Sequence, residues 1–145
     1  MDQRILIFRI IFILIIFFFN TILQAKTING KAKVIDGDTI HINKNKIRLH
    51  GIDAPEKEQK CNLNDKEWLC GITATIELQK IINNKNVICK IKGRDKYQRY
   101  IGICFANNIN LNKKMVEKGW AIAYRYYSLD YIKEEKEAIK NENGI

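Results

Sequence analysis

The stretch from Val34 to Glu56, VIDGDTIHINKNKIRLHGIDAPE, crowds Asp36, Asp38, Asp53 and Glu56 around a single arginine, Arg48. Carboxylates forced together repel, and a cation held between them resolves the repulsion. The candidate donors are all oxygens, with no Cys or His at ligand spacing, so a hard ion such as Ca²⁺ suits them better than Zn²⁺. Taken singly the motifs also have a plainer reading, because Asp-Gly is a common turn dipeptide and Asp-Ala-Pro a common strand exit.

Two short runs must bring these residues together. From Thr39 to Asn43, Ile40 and Ile42 alternate with polar residues, and from Lys46 to Ile52, Ile47 and Leu49 alternate with Arg48 and His50. That period of two predicts strands with the isoleucines and leucine on a core face and Arg48 on the other. A hairpin through the turn from Asn43 to Lys46 makes the acidic ends of the two strands meet.

Farther on, Val87, Cys89 and Ile91 alternate with lysines, and a second apolar run spans Tyr100 to Phe105. A hairpin centred between Lys96 and Tyr97 sets Cys89 opposite Cys104. Facing strand positions lie about 4.5–5.5 Å apart at Cα, within disulfide reach. Four cysteines allow three connectivities, and this pairing leaves Cys61 with Cys70, clamping the polar loop after Glu56. Zinc is the competing use, but there is no Cys-x-x-Cys pair and only His41 and His50 to assist. Neither histidine is assigned a role. Helical periods follow over Glu67 to Asn83, with Ile72, Ile76, Ala74, Leu78 and Ile81 inward. A second helix is expected from a cap at Asn112 to Gly119, and a third from Ser128 or Asp130 to Asn141. The order of three strands, helix, two strands and two helices suits an α+β domain built on a five-stranded Greek-key barrel of the OB type.

Three motifs in register, Val34-Ile-Asp-Gly-Asp-Thr39, Ile47-Arg-Leu-His-Gly-Ile-Asp-Ala-Pro-Glu56 and Asp95-Lys-Tyr-Gln-Arg99, resemble the signatures of the thermonuclease, or staphylococcal nuclease, family. The resemblance covers the chain from about Thr27 to its end and implies the same OB-fold with three helices. It implies a Ca²⁺-dependent hydrolase of DNA, RNA or both, with nucleic acid as partner, no organic cofactor and a monomeric state. The implied Ca²⁺ ligands are Asp38, Asp53 and the backbone carbonyl of Ala54, with Asp36 acting on the ion through water or hydrogen bonds. Glu56 resembles the general base, Arg48 and Arg99 the pair that holds the phosphate, and Tyr97, Tyr124 and Tyr126 the tyrosines near the nucleotide. The chain departs from the family pattern in having Ala54 in place of a threonine, Gln98 in place of a glycine, and a cysteine-bearing loop after Glu56. It also stops soon after Asn143-Gly144, where the family usually continues, so some packing of the last helix is expected to be lost.

With 145 residues there is room for one domain, residues 26–145, and the net charge of +9 names a polyanion as the first class of partner. Residues 1–25 read as a targeting segment: Arg4 supplies a positive start, and Ile10 to Phe19 is an unbroken apolar run of signal-peptide length. Ala25 offers a cleavage point, and an uncleaved membrane anchor or a buried helix are the alternatives. Arg4 and Arg9 against Asp2 give this segment one net positive charge, so the basic character belongs to the domain. The expected location is periplasmic or secreted, or membrane-anchored outside the cytoplasm. The functional alternative is a catalytically weak OB-fold module that binds nucleic acid by charge and stacking.

Overall fold

The computed structural model describes residues 25–144 together with residues 3 and 4, so the expected targeting segment, residues 1–25, lies almost wholly outside the described residues. Strands β1 (Thr27–Asp36), β2 (Thr39–Ile42) and β3 (Asn45–Leu49) form an antiparallel meander. Ile40, Ile42, Ile47 and Leu49 are buried, as their alternation requires, and Arg48 stands on the opposite face. A two-residue strand, β4 (Ile52–Asp53), a small hairpin of β5 (Cys61–Leu63) and β6 (Lys66–Trp68), and helix α1 (Cys70–Ile82) follow. The chain continues through β7 (Asn86–Arg94), β8 (Tyr100–Ala106), β9 (Ile109–Asn110), α2 (Leu111–Glu117), β10 (Ile122–Ala123) and α3 (Ile132–Lys140).

Closure of the sheet is what makes a barrel. Strand β7 pairs antiparallel with β1 on one side and β8 on the other, and β8 returns to pair in parallel with β3, Ile47 facing Tyr100 and Arg48 facing Ile101. Strands β1, β2, β3, β8 and β7 thus form a closed five-stranded OB-type barrel, with three helices packed around it. Cys89 faces Cys104 in the β7–β8 register and the two are disulfide-bonded, as are Cys61 and Cys70. A bulge between Ile91 and Gly93 displaces the last two pairs and leaves Asp95 to Arg99 as the hairpin turn, closed by the Asp95 N–H donating to the Arg99 carbonyl at 3.0 Å.

Helix boundaries differ from the periodic reading in ways that packing explains. The first helix begins at Cys70, not Glu67, because Lys66–Trp68 pairs with Cys61–Leu63 and Trp68 meets Trp120 edge-on at 6.4 Å. Ile76, expected inward, is 43% exposed, while Ala74, Leu78 and Ile82 face the barrel. The second helix is capped by Asn110, whose side chain accepts from the Lys113 N–H at 3.0 Å. Asn112, the expected cap, is instead fully buried. Its Oδ1 accepts from Cys104 N at 3.0 Å and its Nδ2 donates to the carbonyls of His50 and Gly102 at 2.9 and 3.1 Å. This one amide ties α2 to both strands of the parallel seam. The third helix begins at Ile132, and the residues beyond it fold back, with the Asn143 amide donating to the Glu117 carbonyl at 3.2 Å.

Removing the Asn112 amide strands one backbone donor and two acceptors inside the barrel. We expect Asn112→Ala to cost about 3 kcal/mol, since each buried polar group left unpaired costs roughly 1–3 kcal/mol. Urea unfolding of the oxidised protein measures it as a lower midpoint at unchanged slope.

Candidate active site

The turn joining β1 to β2 carries Asp36, Gly37 and Asp38, and Gly37 is what lets it lie down on the rest of the molecule. A Cβ there would fall 2.6 Å from the Ala54 Cβ and 3.0 Å from that of Ala74. The close approach aims Asp38 inward. Its Oδ1 accepts from Thr39 Oγ1 at 2.9 Å and Arg48 Nη1 at 3.1 Å, and its Oδ2 accepts from the Ala54 N–H at 3.0 Å. The other arm of the Arg48 guanidinium, Nη2, donates to Asp53 Oδ1 at 2.6 Å. One guanidinium therefore bridges two carboxylates, one from the β1–β2 turn and one from β4. Asp36 stands behind them, its Oδ1 accepting from the Asp38 N–H at 3.1 Å.

Asp38 is only 3% exposed, and burial pushes its carboxyl up to about 6 even though Arg48 and the Ala54 N–H favour the ionised form. The charge of Asp36 adds to the rise. Asp53 is 44% exposed at its side chain and opens to solvent. As donors, Asp38 and Asp53 are hard oxygens of the kind that hold Ca²⁺. Among the described residues no three Asp, Glu, His or Cys side chains converge as a metal cluster.

Beside the bridge lies a cleft of about 270 Å³ lined by Arg48, His50, Tyr97, Arg99, Tyr124 and Tyr127, among others. Arg99 is delivered by the Asp95–Arg99 turn. Asp95 Oδ1 accepts from the backbone N–H groups of Tyr97 and Arg99, and its Oδ2 from Arg99 Nε at 2.6 Å. Burial would raise Asp95, but these Arg99 and Tyr97 hydrogen bonds win and hold its carboxyl below the usual range. Gln98, standing where the family pattern has glycine, takes a left-handed φ of 63° to turn the chain into Arg99. The tyrosine segment is placed by β10, which pairs with β4 so that Ile122 faces Asp53, and by the Tyr124 N–H donating to the Gly51 carbonyl at 2.9 Å. His50 also borders the cleft, 3.9 Å from Asp130, with burial lowering its pKa.

The expected residues thus divide into groups. Asp38, Arg48 and Asp53 are in contact, Ala54 and Asp36 are attached to them by hydrogen bonds, and Arg48, Arg99, Tyr97 and Tyr124 share the cleft. Tyr126 is 82% exposed and outside the cleft lining, whereas its neighbour Tyr127, not singled out from sequence, is within it. A run of two tyrosines offers no pattern to say which one turns inward. Glu56 is exposed on the loop after β4 and does not line the cleft. That loop is nevertheless tied down: the Glu56 N–H donates to Gln59 Oε1 at 3.2 Å, and the Gly71 N–H to the Gln59 carbonyl at 3.1 Å. The Cys61–Cys70 disulfide closes it onto α1, and a Cβ on Gly71 would fall 1.8 Å from the Glu56 carbonyl oxygen. The cysteine loop is a clamp on the segment that carries Glu56.

Comparison with known proteins supplies the context. A family profile described as Staphylococcal nuclease homologue matches residues 46–145, a span that holds Arg48, Asp53, Glu56 and Arg99 and begins after Asp36 and Asp38. The chain is 38% identical over 105 residues to an uncharacterized endonuclease of Haemophilus influenzae, covering 69% of this chain and 54% of that protein. It is 36% identical over 102 residues to the succinoglycan biosynthesis protein ExoI of Rhizobium meliloti, covering 68% and 53%. To the micrococcal nuclease of Shigella flexneri it is 32% identical over 130 residues, covering 78% and 70%. The chain spans about half the length of the first two relatives.

The buried Asp38 predicts a pH signature. Its folded pKa of about 6 lies above its ordinary value of 3.8, so the folded state holds the proton more tightly than the unfolded chain. The stability this contributes is fully present below about pH 4 and is lost as pH rises through about 6. Urea unfolding at pH 4 and pH 7 should show the wild type losing stability over this interval relative to Asp38→Asn, whatever the absolute stability of the variant. Parallel pH profiles would contradict the buried, proton-retaining carboxyl.

Proposed function

The chain belongs to the staphylococcal nuclease homologue family, and from that premise we propose that it is an exported, Ca²⁺-dependent nuclease that hydrolyses DNA, RNA or both with little sequence preference. The observation that carries this reading is the Arg48 bridge: one guanidinium holds Asp38 and Asp53 together at the border of a cleft that also contains Arg99. Phosphodiester hydrolysis needs positive charge where phosphoryl oxygens gather negative charge, and a positioned water. Arg48 and Arg99 bring two guanidiniums to one cleft, each able to hold two phosphoryl oxygens. Asp38, Asp53 and the Ala54 carbonyl would hold the Ca²⁺ ion, with Asp36 steadying Asp38. When bound, the ion supplies further positive charge for those oxygens.

Glu56 takes the proton from the attacking water as its oxygen bonds to phosphorus and the bond to the leaving oxygen breaks. Tyr97 and Tyr124 offer aromatic faces to the flanking base, and Tyr127 takes the position in the cleft expected of Tyr126. Export is supported by the two disulfides, which persist in an oxidising compartment. Residues 1–25 would be the export signal or an anchor. Among the described residues no helix is long and apolar enough to cross a membrane. One observation favours the second reading, a weakly catalytic nucleic-acid-binding module: Glu56 is exposed and outside the cleft lining.

Glu56→Gln separates the two readings. Cleavage should fall by about 10² to 10⁴, the usual contribution of a general base, while binding of a short oligonucleotide stays near wild type by fluorescence anisotropy. Equal loss of both, or no change in cleavage, would remove Glu56 from the role of base. Arg48→Lys should fail as well, because an ammonium keeps the charge without the two-armed geometry that spans Asp38 and Asp53.

A further inference from the structure

The strand register sorts the outward residues of the first three strands into rungs. One rung contains Asp36, Thr39 and Arg48, and so belongs to the acid–arginine bridge. The next contains Lys33, His41 and Lys46, since Lys33 faces His41 and His41 faces Lys46. A register shift between Val34 and Asp36 keeps the acid in the first rung and out of the second. Lys46 and Arg48 are two residues apart on one face of β3, a spacing of roughly 6.6 to 6.8 Å. That spacing is comparable to the separation of neighbouring phosphates in an extended single strand. Lys46 also precedes Ile47, which faces Tyr100 across the parallel seam, so it stands level with Arg99.

Among the described residues nothing neutralises this second rung. Lys33 and Lys46 are exposed, and among the described residues neither has an ion-pair partner. Some lysines of the domain meet glutamates, as Lys60, Lys80 and Lys113 do; what sets this rung apart is its place beside the Arg48 rung. Between the two unpaired lysines, His41 keeps a shielded Nε2 with no hydrogen-bond partner, a polar atom that the fold leaves unsatisfied. Lys33 and Lys46 stand one strand apart on either side of His41, two positive charges with no counter-charge in their rung, and an anion laid across the rung would meet both.

We propose that Lys33 and Lys46, flanking His41, form a second phosphate-binding strip that holds the nucleic-acid backbone one phosphate away from the bond being cut. The inference rests on the nuclease reading of the Arg48 cleft and extends it by giving the substrate a direction, across the outer faces of β3, β2 and β1. It makes a chain of several phosphates the preferred substrate over one with a single phosphate. The strip reads charge alone, so it favours neither DNA nor RNA and no particular sequence.

The test uses the full oxidised chain and the Lys33→Gln/Lys46→Gln double variant on two substrates. One is a dinucleoside monophosphate, whose only phosphate is the one cut, and the other a single-stranded oligonucleotide of about ten nucleotides. The variant should match wild type on the dinucleoside. On the longer strand its KM should rise at unchanged kcat, and the slope of log affinity against log salt should become shallower by about 0.7 for each phosphate no longer held. An unchanged KM and salt slope on the longer strand would overturn the proposal, and so would an equal loss on both substrates, which would place the lysines in the cleft itself. If wild type cleaves neither substrate the hydrolytic reading fails, and salt-titrated binding of the longer strand to the two proteins still decides the strip. Loss of binding to anionic lipid vesicles with oligonucleotide affinity intact would assign the lysines to a membrane surface and overturn the proposal.

Discussion

A buried carboxylate that must share one guanidinium with a second carboxylate is the constraint on which the molecule turns. Asp38 is taken out of water by the Gly37 turn against Ala54 and Ala74, and its ionised form depends there on a cation beside it. Stripping the partner from a buried charge costs about 3 to 5 kcal/mol, a large share of what a small domain has. Arg48 therefore has to arrive at the right place, and the barrel delivers it: β3 is fixed by β2 on one side, where Arg48 faces Thr39, and by β8 on the other, where it faces Ile101. Asp53 comes from the short β4, held by its pairing with β10. The site exists where the sheet closes, and Asn112 fastens α2 to the two strands that close it.

The same closure gathers the second half of the cleft. The β7–β8 hairpin that supplies the parallel partner of β3 also carries the Asp95–Arg99 turn, so Arg99 and Arg48 reach the cleft through one set of strand pairings. The Cys89–Cys104 disulfide fixes the register of that hairpin from within the core, and the Cys61–Cys70 disulfide restrains the exposed loop holding Glu56. The two disulfides thus bear on the site from two sides, through the strand that aims an arginine and through the loop that presents an acid.

What was legible in the sequence was set by local period and symmetric spacing. Alternation at Ile40, Ile42, Ile47 and Leu49 located two strands and a core face, and the equal distance of Cys89 and Cys104 from the turn located a register. The parallel contact of β3 with β8 leaves no trace in either strand's pattern, because side-chain alternation is the same whatever the partner. Asn110 and Asn112 are equally good caps by residue type, and only the tertiary structure shows that one caps and the other is a buried clasp. The first helix gave up its expected opening turn because pairing with Cys61–Leu63 and the contact between Trp68 and Trp120 outweighed helical propensity at Lys66–Trp68. Among the tyrosines, the difference between Tyr126 and Tyr127 is one of chain direction after β10, which composition does not encode.

The proposal that this barrel presents Asp38, Arg48, Asp53 and Arg99 to break phosphodiester bonds makes a direct demand on activity. Hydrolysis of single-stranded DNA and RNA by the full oxidised chain, followed with Ca²⁺ and again with excess EGTA, tests it most directly. Cleavage that requires Ca²⁺ and stops on chelation is the expected result. Folded protein that binds either nucleic acid tightly in a salt-sensitive manner, yet leaves both intact with Ca²⁺ present, would contradict it.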